Sequence, residues 1–138
     1  MGKIKIILSD PQIIFREGVH FTISGEEEFE VTAETTSNAD ALAHIESNTP
    51  NIAILNMGNG KLDGTVVTRR IKRHFPSVSV ILILDKSDEA QLFSAMESGA
   101  SACLTKDATP EQLLETIKAF SLIWDFSLAA LLPLRRRV

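Results

Sequence analysis

In 138 residues the chain carries one cysteine, Cys103. A single thiol builds no intramolecular disulfide framework and no cysteine-type metal cluster, and it is compatible with a reducing compartment. Positive charge is also short. Fourteen lysines and arginines stand against 18 aspartates and glutamates, a formal net charge of −4, so nothing favours wrapping a polyanion such as DNA with this segment. A long apolar run is missing from the N-terminus. "MGKIKIILSD" turns polar at Ser9 and Asp10, lacks the hydrophobic region of a signal peptide, and leads to the expectation of a cytoplasmic protein without a membrane partner. Glycine is absent from "LSDPQ", where a nucleotide-binding loop would need it to cradle phosphate. His20, His44 and His74 fall on three separate segments without ligand spacing, so no metal site is expected.

What is present is an alternation of short apolar runs with stretches of helical period, the pattern of βα units and a parallel sheet. Strands are expected at 3–8, 29–35, 52–55, 78–84 and 101–105. "VSVILIL" is the most apolar of them and suits burial on both faces. The first helix, about 13–24, repeats Ile14, Phe15, Val19 and Ile23 at three- and four-residue spacing and meets Gly25 as a stop signal. Asn38 can cap a second helix and Ser87 a fourth, Asp63-Gly64 opens the third, and Thr109-Pro110-Glu111 starts the fifth. The expectation is a doubly wound α/β fold with helices on both faces. Residues 1–120 form this domain, and 121–138 are an apolar tail or linker.

In such a sheet the site lies beyond the carboxyl ends of the strands, where strand order reverses. The polar residues at those positions are Asp10 and Pro11 after the first strand, Asn56 after the third, Asp85 after the fourth and Lys106 after the fifth. The stretches "SDPQIIFREGV", "NIAILNMGNGKLDG", "SVSVILIL" and above all "ESGASACLTKDATPEQLLETI" resemble the receiver domain of two-component response regulators, in the subfamily that precedes a LuxR-type helix-turn-helix output domain. The resemblance covers about residues 3–120. It implies a flavodoxin-like sheet of order 2-1-3-4-5.

It also implies a phosphoryl switch. In the family a carboxylate at position 56 attacks the phosphoryl group, two acids after the first strand hold Mg²⁺, a hydroxyl after the fourth contacts phosphate, and a lysine after the fifth pairs with it. Here Asp10 matches the first acid and Lys106 the lysine. Pro11 stands for the second acid, Asn56 for the phosphoacceptor, Asp85 for the hydroxyl, Gly60 for a proline of the turn, and Cys103 for the aromatic that reports the site's state to the signalling face. An amide is a very poor nucleophile. A negative Asp85 at about 4 Å from an incoming phosphoryl group repels it by roughly 4 kcal/mol at an effective dielectric of 20. Weak or absent Mg²⁺ binding, no cofactor and no catalysis are therefore expected. Lys106 is expected to pair with Asp10, Asp85 or both, with Asn56 bridging them.

The reading is a pseudo-receiver that works through protein contacts and regulates transcription through a DNA-binding domain outside this chain, with a sensor kinase or other signalling protein as a further partner. The alternatives are a receiver still phosphorylated at a non-standard site, and a small-molecule-binding domain on the same fold. Cys103 on its own reads as a small buried hydrophobe. In the tail, Phe120, Ile123, Trp124 and Phe126 leave apolar surface that something should cover. A longer last helix folded on its own sheet, a homodimer surface and a linker are the candidates.

Overall fold

Alternating side chains in the central strands sort the chain into two cores, one on each face of a single sheet. This computed structural model describes residues 2–58 and 61–121. Its strands are β1 (Ile4–Ser9), β2 (Phe29–Thr35), β3 (Ile52–Asn56), β4 (Ser79–Leu84) and β5 (Ala102–Thr105), and its helices are α1 (Ile13–Ser24), α2 (Asn38–Ser47), α3 (Gly64–His74), α4 (Glu89–Glu97) and α5 (Pro110–Ser121). The strands pair in the order β2-β1-β3-β4-β5, all parallel. This is the expected doubly wound sheet.

On one face Ile7, Leu55, Leu82 and Leu84 pack with Ile45 of α2, Ile71 of α3 and Ala95 of α4. On the other, Ile6, Ile54, Ile81 and Ile83 pack with Ile23 of α1 and Ile117 of α5. All six residues of β4 are buried. Each such Ile or Leu contributes about 1.5–3 kcal/mol of transfer free energy.

Local chemistry sets the helix ends. Asp63 caps α3 by accepting from Thr65 N and Val66 N, and Gly64 follows because there is no room for more. A Cβ there would lie 2.6 Å from Leu82 Cδ2 and 2.7 Å from the Asn56 carbonyl oxygen. Gly99, at φ +98°, ends α4 as expected. At α5, Thr109 Oγ1 accepts from Gln112 N at 3.1 Å while Gln112 Oε1 accepts from Thr109 N at 2.9 Å, a reciprocal capping box in front of Pro110.

Several expectations need correction. Ser37, not Asn38, caps α2, accepting from Asp40 N at 3.1 Å. Asp88, not Ser87, caps α4, accepting from Gln91 N. Ile14 is not part of the buried stripe of α1: it is 88% exposed, and Val19 and Ile23 alone are fully buried. β1, β4 and β5 each begin one residue later than the apolar pattern suggests, at Ile4, Ser79 and Ala102.

Candidate functional site

Between β1 and β3 the chain winds off to opposite sides of the sheet, which opens a crevice at their carboxyl ends. Asp10 follows β1 and Asn56 ends β3, and both are buried. Asn56 Nδ2 donates to Asp10 Oδ2 at 3.1 Å. The nitrogen must be the atom that faces Asp10, because a carboxylate only accepts. The other Asp10 oxygen, Oδ1, accepts from Gln12 N at 2.8 Å and from Lys106 Nζ at 3.1 Å. Both carboxylate oxygens are thus engaged by the chain's own donors.

Lys106 reaches this point from beyond β5, where its backbone N–H donates to the Leu84 carbonyl. Its ammonium lies 3.1 Å from Asp10 Oδ1 and 3.1 Å from Asp85 Oδ1, on side chains that are 4% and 69% exposed. It also bonds Gln12 Oε1 and sits 4.8 Å from the centre of the Phe15 ring. Of the expected residues, the structure brings Asp10, Asn56, Asp85 and Lys106 into one cluster. Pro11 sits beside Asp10, exposed. One detail differs: Asn56 is a donor to Asp10 rather than a bridge between Lys106 and the acids. Asp85 is 69% exposed, so solvent and salt reduce its repulsion of an anion below the figure for a dielectric of 20.

Three contributors were not anticipated. Gln12 closes a turn on Asp10 and touches Lys106; an Asp two residues before it is the signal for such a turn. Asn38, freed from capping, donates to the Asn56 carbonyl at 2.9 Å and to the Leu62 carbonyl at 3.4 Å, tying α2 to the segment after β3. Arg16 Nη1 donates to the Asp10 carbonyl at 2.7 Å. Its Nε lies buried, 3.3 Å from Glu34 Oε1, as an ion pair without hydrogen-bond angles, and His20 contacts the other oxygen of Glu34.

Mg²⁺ asks for carboxylate and phosphate oxygens in octahedral array. The donor set does not fit it: among the described residues Asp10 is the one buried carboxylate, Asn56 turns an N–H₂ toward it, and an ammonium occupies its other oxygen. No group of three His, Cys, Asp or Glu suited to a metal occurs among the described residues.

Cys103 lies in β5, half-buried, with Sγ 4.0 Å from Met96 Sδ. Burial pushes its thiol above the ordinary range, which keeps it protonated and a poor nucleophile at neutral pH. Phe120 is half-buried in the last turn of α5. Ile123, Trp124 and Phe126 lie outside the described residues.

The response regulator receiver domain model matches residues 6–118. The chain belongs to that family. Among similar proteins, the transcriptional regulatory protein DegU of Brevibacillus brevis is 30% identical over 117 residues, 85% of this chain and 50% of that protein. The oxygen regulatory protein NreC of Staphylococcus haemolyticus is 28% identical over 116 residues, 83% of this chain and 53% of its own length. This receiver domain therefore spans about half the length of the curated relatives it matches. Among solved structures, the signal receiver domain of the response regulator NarL from Mycobacterium tuberculosis superposes with a TM-score of 0.80 at 26% identity, covering 86% of this chain and 95% of that one. No helix among the described residues is long and apolar enough to cross a membrane.

Proposed function

We propose that this receiver domain signals through protein contacts without aspartyl phosphorylation, as the regulatory part of a transcription regulator whose DNA-binding part lies outside this chain. The observation that carries the reading is the Asn56–Asp10 hydrogen bond, closed on its other side by Lys106. A receiver needs a free carboxylate at position 56 to attack phosphorus, and an amide there has its nitrogen lone pair delocalised into the carbonyl. The acid that would share a metal ion with that carboxylate is instead paired with the Lys106 ammonium and hydrogen-bonded by the Asn56 amide. Asp85 takes the place from which a hydroxyl would donate to a phosphoryl oxygen, and as a carboxylate it only accepts.

The transcriptional role rests on relatives named as transcriptional regulatory proteins. A sensor kinase or another signalling protein is the partner class this family membership supports. With no turnover chemistry at the site, the domain acts as a binding module and not as an enzyme.

Amide NMR spectra with Mg²⁺ and then beryllofluoride test the reading. The signals of Asn56, Asp85 and Lys106 should keep their positions at millimolar Mg²⁺ and after the fluoride is added. Saturable shifts at those three residues overturn it.

A further inference from the structure

The exposed face of α1 carries a carboxylate and an aromatic ring side by side. Glu17 and Phe21 are four residues apart, which sets their Cβ atoms about 5–6 Å from each other on a helix surface. Both are exposed, Phe21 to 83%. Phe21 also borders an open groove of about 380 Å³ between α1, β5 and the start of α5, walled by Phe15, Leu104, Pro110 and Leu113. Small-molecule sites have apolar walls of this kind and volumes of about 300–1,000 Å³. Gly18 lines the groove as well, and a Cβ added there would meet nothing within 4 Å. A mid-helix glycine weakens its helix; here it leaves bare backbone on the wall, against which an apolar group can lie closely.

The uncompensated charge around this groove has one sign. Glu17 precedes the lining residue Gly18, Asp107 stands between the lining residues Lys106 and Ala108, and Glu111 follows the lining residue Pro110. All three acids are exposed and have no ion pair among the described residues. The nearby cations are already held. Lys106 is shared between Asp10 and Asp85, at 3.1 Å from each, and Arg16, beside Phe15, pairs with Glu34. An anion would therefore meet like charge at the rim, and a cation would meet its complement. Aromatic faces add to that preference, since they attract cations within about 6 Å. Phe15 does so within the fold, with Lys106 Nζ 4.8 Å from its ring centre.

We propose that the groove between α1 and α5 binds a small organic cation, with its apolar body against Phe15, Gly18 and Leu113 and its ammonium group at the rim, between the Glu17 carboxylate and the Phe21 ring. The apolar walls supply the binding and the rim selects the sign of charge. Leu104 and Lys106 line the groove, so the ligand adjoins the candidate site, and its binding calls on no chemistry at Asn56.

Amide NMR of the full chain titrated with 4-phenylbutylamine, 4-phenylbutanol and 4-phenylbutyrate separates shape from charge, because the three share a body and differ in sign. The amine should give saturable shifts at Phe15, Gly18, Phe21 and Leu104. It should bind about tenfold tighter than the butyrate, with the alcohol between them and the gap narrowing in high salt. Glu17→Gln, at an exposed position, should bring the amine to the affinity of the alcohol and leave the alcohol unchanged. Gly18→Leu, which favours the helix and fills the groove, should abolish the shifts from all three while far-ultraviolet circular dichroism stays intact. The absence of saturable shifts with the amine overturns the proposal. So does equal binding of amine and butyrate, and so does a preference for the amine that survives Glu17→Gln. Shifts at these residues produced by raising the protein concentration alone assign the groove to a second copy and overturn it as well.

Discussion

Asn56 and Asp10, 46 residues apart, meet in a buried hydrogen bond of 3.1 Å at the carboxyl edge of the sheet. Replacing the amide by Asp would set two carboxylates against each other at that distance. Asn56→Asp should therefore cost about 1–3 kcal/mol at neutral pH, through a lost donor and like-charge repulsion. The sign with pH follows: a crowded, buried carboxyl has its folded pKa raised above the unfolded one, so the deficit should be smallest in acid and grow as pH rises through the carboxylate range. Thermal unfolding of both chains across that range measures it. The single change should not restore switching, because Pro11 still supplies no second acid.

Lys106 holds two carboxylates of unequal burial. Lys106→Met leaves buried Asp10 without its cation and should cost about 3 kcal/mol. Asp85→Asn breaks a pair whose acid is 69% exposed and should cost under about 1 kcal/mol. Urea unfolding of the two variants should show the difference in midpoint at unchanged slope.

Gly64→Ala forces a Cβ to within 2.7 Å of the Asn56 carbonyl oxygen, a backbone atom that cannot swing aside. A destabilisation of about 1–3 kcal/mol is expected. Gly25→Ala, where the nearest atom is 3.6 Å away, should stay within about 0.5 kcal/mol.

Cys103 should react slowly with a thiol reagent at neutral pH and faster once the chain is unfolded, since burial raises its pKa. A thiol whose folded pKa is raised contributes stability that is present below its unfolded pKa and lost as pH climbs through the folded one. Cys103→Ala should therefore flatten the alkaline limb of the stability curve.

Much of this fold was legible because burial on both faces leaves continuous apolar runs, as in β4, and because Asp63-Gly64 and Thr109-Pro110 carry end signals of their own. The stripe of α1 misled at Ile14, since periodicity cannot tell an apolar residue facing the sheet from one at the edge of a groove. The caps slipped by one residue where two polar side chains stand side by side, at Ser37-Asn38 and Ser87-Asp88. At the site, strand ends named the four residues that meet. Gln12 and Arg16 bond Asp10 locally, two and six residues away, whereas the contacts of Gln12 with Lys106, 94 residues away, and of Asn38 with Asn56, 18 away, depend on the fold.

The most direct test of a closed, non-phosphorylated site is the intact mass of the full chain after incubation with acetyl phosphate and Mg²⁺, beside a receiver that has an aspartate at the acceptor position. The account predicts a phosphoryl adduct on the control and an unchanged mass for this chain at all times. An acid-stable or acid-labile adduct accumulating on this chain at a rate comparable to the control contradicts it.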